Sequence, residues 1–148
     1  MDLSSVVKVT TALDFLAAAA AVDRNGAGLD MAGFDGVLMI VKMANIAAGA
    51  VTSIKAQQSD DDGVTDAYSD LKDTGIAIAA DDDDQVFIID LVKPRKRWVR
   101  LLVDKDAANA TNECALYVQY AARNHPVTQT VADEVTYERH VSPDEGAA

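Results

Sequence analysis

Residues 85–104 read QVFIIDLVKPRKRWVRLLVD, and the fold class turns on how they are read. Gln85 to Val92 and Arg97 to Asp104 are short runs rich in Val, Ile, Leu, Phe and Trp, the residue types that suit a pleated strand. Pro94 lies between them, where a ladder hydrogen bond could not be made. The stretch therefore predicts two strands joined by a corner. That corner is basic: Lys93, Arg95, Lys96, Arg97 and Arg100 place five of the chain's 13 Lys and Arg residues within eight positions.

Working outward, GVLMIVKMANI (36–46) is a near-continuous apolar run ended by small residues, which predicts a strand buried on both faces. VTSIKAQQSDDDG (51–63) alternates with period two and ends in a turn at Asp60–Gly63. Shorter strand pieces are predicted near Tyr68–Leu71 and Ile76–Ala79. In ECALYVQYAA (113–122), Leu116, Val118 and Tyr120 share one side, and Ala115, Tyr117 and Gln119 the other. Short strands punctuated by Asp, Gly and Asn turns predict an all-β fold, an antiparallel β-sandwich of jelly-roll-like kind. Its strands are expected to include Val37–Ala44, Thr52–Gln58, Val86–Val92, Trp98–Val103 and Ala115–Tyr120.

The ends carry weaker patterns. Residues 1–27 read as an N-terminal arm or a leading strand, with a short helix or extended segment through the Ala run and a turn at Asn25–Gly26. Residues 28–127 form the expected sandwich, and 128–148 an extended C-terminal arm. Neither end has enough apolar surface to offset its ordering entropy alone, so at least one is expected to order only against a neighbouring subunit.

Composition narrows the function. With 24 acidic residues against 13 basic, the net charge is −11, which argues against nucleic-acid binding, where phosphate neutralisation dominates affinity. No apolar stretch reaches the length of a membrane span, and no signal peptide is read. The single cysteine, Cys114, precludes an intrachain disulfide and is expected to be a buried structural thiol. His125 and His140 have no metal-ligand spacing. The acidic runs Asp60–Asp62 and Asp81–Asp84 offer oxygen ligands, but no EF-hand loop is formed, and solvated turns are the simpler reading. No G-x-S-x-G, H-E-x-x-H or P-loop pattern appears. The chain is thus expected to be no enzyme, with no catalytic residue, metal or cofactor. Trp98, the only tryptophan, is either a core plug or, beside Arg97, part of an interface.

The order of these pieces resembles a family. GLDMAGFDGVLMIVKMANI is similar to the step into a buried strand seen in small virion proteins of tailed phages. IKAQQSDDDGVTDAYSDL, KPRKRWVRLLVD and ALYVQYAARNHPV resemble, in turn, its acidic turn, its basic-aromatic strand and its closing strand. The resemblance covers about residues 28–127. It implies a head-associated β-sandwich, a capsid decoration or cement protein on the outer surface of the virion. Its partners would be the major capsid protein and sister copies in a homotrimer, with no nucleic acid and no membrane. Lys93, Arg95, Lys96, Arg97 and Arg100 would then contact the capsid or a sister subunit. A head–tail connector or tail protein, and a carbohydrate-binding or adhesin-like module, are the alternatives.

Overall fold

The computed structural model describes residues 2–15, 22–46, 52–105, 110–129, 135–141 and 145. The Ala run, where a short helix or extended segment was expected, lies outside these residues. Among the described residues, ten strands follow a short 3-10 turn at Leu3–Ser5: β1 (Lys8–Leu13), β2 (Arg24–Asn25), β3 (Leu29–Asp30), β4 (Phe34–Ile46), β5 (Thr52–Ser59), β6 (Ser69–Asp70), β7 (Ile76–Ile78), β8 (Val86–Val92), β9 (Trp98–Lys105) and β10 (Ala110–Ala122). Every strand expected from the sequence is present.

The strands form two antiparallel sheets. One has the order β1-β10-β4-β8; in the other, β9 and β5 lie side by side, flanked by β2 and β3 on one edge and by β6 and β7 on the other. The fold is an all-β sandwich. Successive long strands change sheet, from β4 to β5 and from β8 to β9. The basic corner is therefore an inter-sheet crossing at one end of the sandwich. It begins at Lys93, whose φ of +50° is left-handed, followed by Pro94.

Alternation builds the core. Val37, Met39, Val41 and Met43 of β4 face inward, fully buried, against Ile54 and Ala56 of β5 and Val99, Leu101 and Val103 of β9. Ala115 and Tyr117 of β10 complete the layer. Tyr117 reaches across the sandwich: its Oη accepts from Leu101 N at 2.8 Å and donates to Ala27 O at 3.0 Å. Gly26 lies against this hydroxyl, where a Cβ would stand 2.5 Å from it.

Four details depart from the sequence reading. β4 was expected to be buried on both faces, yet Leu38 and Ile40 on its outward face are only half-buried. Trp98 is not a core plug, because it shares the outward parity of Arg100 while Val99 and Leu101 face the core. Cys114 is half-buried, on the outward side with Leu116. The expected domain boundary at residue 28 falls inside the sandwich, since β1 pairs with β10 from Lys8↔Gln119 to Leu13↔Ala115 and β2 pairs with β9.

The terminal segments also find partners within the chain. Gln129, buried, accepts from Val9 N and donates to Ser4 O and Val7 O at 2.9 and 2.6 Å. Val127 N donates to Ser5 O, Tyr137 Oη to Ser4 Oγ, and Arg139 pairs with Asp2. Val127, Gln129, Tyr137 and Arg139 thus lie against residues 2–9, mostly ahead of β1. A buried amide satisfied on both its oxygen and nitrogen provides the ordering contact that apolar count alone did not reveal.

Tyr117→Phe tests the cross-sheet clamp. It strands a buried N–H and a carbonyl, and should cost about 1–3 kcal/mol, read as a lowered midpoint in denaturant unfolding with the slope unchanged.

Candidate functional site

The crossing between β8 and β9 opens one side of a cleft of about 730 Å³ lined by Met31, Phe34, Asp35, Lys93, Arg95, Lys96, Arg97 and Arg123, among others. Four of the five expected interface residues, Lys93, Arg95, Lys96 and Arg97, meet here. The fifth, Arg100, does not. Its place on the outward face of β9 directs it to Gln57 Oε1 at 2.7 Å and over the Tyr68 ring at 4.1 Å. Arg123, just past β10, joins the cleft instead. The closing-strand motif contained it, but only the β4–β10 pairing brings it beside the corner.

Most of this positive charge is already matched within the chain. Arg97 makes a bidentate contact with Asp30, from Nε at 2.9 Å and Nη2 at 2.6 Å. The Arg97 guanidinium holds the Asp30 carboxyl below its ordinary range, and the Arg97 pKa is raised in return. Arg123 donates to Asp35 at 2.7 and 3.1 Å. Lys96 reaches into the loop between β5 and β6, bonding Asp66 and lying 3.3 Å from Asp60. That contact lowers the Asp66 pKa and raises that of Lys96. These four aspartates lie 30 to 88 positions from their partners, which is why no local sequence window shows the pairing.

Two cations remain. Among the described residues, no hydrogen bond or ion pair reaches the side chains of Lys93 and Arg95, and both are exposed. They sit at the rim of the cleft, where a partner's carboxylates could approach without displacing an internal bond.

The acidic loop has its own logic. Asp61 accepts from Thr65 Oγ1, from Thr65 N at 2.8 Å, Asp66 N at 3.0 Å and Val64 N at 3.1 Å. Those bonds, the Thr65 hydroxyl first, hold its pKa at about 2. Asp62 and Gly63 take left-handed φ of 61° and 79°, and Asp62 accepts from Tyr68 Oη at 2.7 Å. The second acidic run is similarly engaged: Asp82 accepts from Ala79 N and Gln85 Nε2, and Asp83 from Ile46 N. Among the described residues, no group of three or more His, Cys, Asp or Glu side chains is placed to hold a metal ion.

No family model matches the chain, and no curated protein matches it in sequence. Solved structures similar to it include the two that follow. The crystal structure of the PBSX exported protein XepA matches with a TM-score of 0.56 at 17% identity, over 96% of this chain and 45% of that one. The chain thus spans about half of XepA, and at this identity the likeness is one of fold. A protein of Bacillus endospore appendages, described as a novel family of disulfide-linked pili, matches with a TM-score of 0.44 at 16% identity, over 81% of this chain and 94% of that one.

Acid should open the acidic loop. A carboxyl whose folded pKa lies near 2, below its ordinary 3.8, contributes stability fully above the ordinary value, and loses it as pH falls through the folded one. Amide exchange of Val64, Thr65 and Asp66 should therefore accelerate, beyond its intrinsic rate, as pH drops from about 4 to about 2. In Asp61→Ala the same amides should be unprotected at neutral pH.

Proposed function

We propose that this chain is a structural protein of a tailed-phage particle, a cement protein seated on the outer surface of the head. It would clamp neighbouring major capsid subunits and perform no chemical step. The observation that carries the reading is the partition of charge at the crossing. In a chain of net charge −11, Lys96, Arg97 and Arg123 are neutralised internally, and Lys93 and Arg95 alone are presented at the rim. Such an arrangement favours a docked orientation on an acidic patch while the remaining negative surface disfavours unspecific contact. The fold likeness to a phage-derived exported protein is compatible with a phage structural role.

That likeness also favours a second reading, an exported protein that acts outside the cell rather than on the particle. Fractionation separates the two: a cement protein co-sediments with purified heads in stoichiometric amount, and an exported one stays in the supernatant.

On heads stripped of this protein and incubated with it again, Arg95→Glu should weaken attachment by about tenfold or more, with a circular dichroism spectrum like the parent's. Added salt should weaken parental attachment, since rim charges are screened. Arg97→Glu is a poor test of docking, because it also places a carboxylate against Asp30 and should lower the melting temperature. Parental affinity in Arg95→Glu would leave the corner a solvated crossing.

A further inference from the structure

Among the described residues, two of the four sheet edges are kept short and a third is capped at one end. In the six-stranded sheet the outer strands β2, β3, β6 and β7 are only two or three residues long. The β1 edge of the other sheet is met at Val9 by the Gln129 side chain. β8 is different. It is seven residues long, has no proline and pairs with β4 without a register shift, and among the described residues no strand lies on its other side. Long, flat, uncovered edges are what soluble β proteins ordinarily avoid.

Apart from Asp90, which Tyr120 Oη bonds, the outward side chains of this edge are apolar. Val86, Ile88 and Val92 on the outward face are 54, 51 and 60% exposed. They continue the half-buried Leu38 and Ile40 of β4, the run whose composition predicted burial on both faces. The opposite sheet shows what a solvated outer face looks like: Lys55 there bridges Asp70 and Asp104.

Main-chain direction can be assigned. Lys93 N donates to Asp35 O and Met43 N to Gln85 O, and bonded pairs recur at every second residue of an antiparallel ladder. The odd residues of β8 therefore bond β4, and Val86, Ile88, Asp90 and Val92 direct their N–H and C=O groups away from the sheet.

We propose that a second copy of this chain covers this edge, β8 pairing antiparallel with β8 of its partner about a twofold axis at Ile89. Charge selects this occupant. The acidic run Asp81–Asp84 precedes β8, and the free cations Lys93 and Arg95 follow it. An antiparallel partner lays each copy's acidic run beside the other's basic rim, twice per pair. Read against its own reverse, VFIIDLV places Val86 opposite Val92 of the partner, Phe87 opposite Leu91 and Ile89 opposite itself, with Ile88 opposite Asp90, whose carboxylate already accepts from Tyr120 Oη. That register brings outward-directed main-chain groups together and joins two four-stranded sheets into one of eight. The isologous contact is self-complementary and closed, so it does not propagate into a fibre.

The test uses the free full-length chain, so its outcome is independent of capsid attachment. Sedimentation equilibrium should give twice 15.7 kDa at low salt. Ile88→Pro, which removes an N–H that β4 does not use, and Ile88→Lys should both give single-copy mass with a parental circular dichroism spectrum. If the proline variant loses that spectrum, the lysine variant decides. Arg95→Glu should raise the dimer dissociation constant by about tenfold or more. Amide exchange should show Val86, Ile88, Asp90 and Val92 protected in the parent and unprotected in Ile88→Lys, with Phe87, Ile89 and Leu91 protected in both. Single-copy mass for the parent at all concentrations, a three-copy mass, or an unchanged dimer in Ile88→Lys would overturn the proposal.

Discussion

The Tyr117 hydroxyl is the contact on which the sandwich's geometry depends. It belongs to the four-stranded sheet but bonds the backbone of the other sheet at Leu101 and of the preceding segment at Ala27. A side chain of fixed length spanning the core sets the sheet spacing locally, and burial raises its pKa so that the phenol stays protonated and able to donate. Gly26 is the complement of this contact, since any side chain there would collide with the hydroxyl. With the spacing set, Val37, Met39, Val41 and Met43 can interdigitate with Ile54, Val99, Leu101 and Val103, and close packing is worth more than an equal area loosely buried.

Charge is organised around the same scaffold. The β5–β6 loop folds on the Asp61 carboxylate, which leaves Asp60 and Asp66 facing the crossing where Lys96 meets them. Asp30 on β3 and Asp35 on β4 take Arg97 and Arg123. An acidic protein thus consumes most of its basic cluster in holding its own corner together. Exposed pairs of this kind contribute little stability each. Their effect is to fix where the crossing lies, and so where Lys93 and Arg95 are presented.

Edges and faces divide into finished and unfinished ones. The outward face of the β5–β9 sheet carries ion pairs, and the β1 edge is capped at Val9 by Gln129 of the C-terminal segment. The outward face of the β4–β8 half carries aliphatic side chains and open main-chain groups. One outward face is thus solvated by ion pairs, and the other leaves aliphatic side chains exposed.

The five long strands, the all-β class and the turns at Asp60–Gly63 and Pro94 were legible in the sequence, because period-two patterning and turn chemistry are local properties. So was the clustering of five cations at 93–100. The sequence did not show that Arg97 belongs to Asp30, Lys96 to Asp66, or that Arg123 completes the cleft while Arg100 leaves it, because those pairings depend on which strands become neighbours. Nor did it show that Gln129 would anchor the C-terminal segment to β1. Parity decided Trp98: one residue's shift along β9 would have put it in the core. Apolar content alone said that Leu38 and Ile40 want cover. Only the tertiary structure decided that none of the described residues supplies it, since sheet order leaves β8 at an edge with no further described strand beside it.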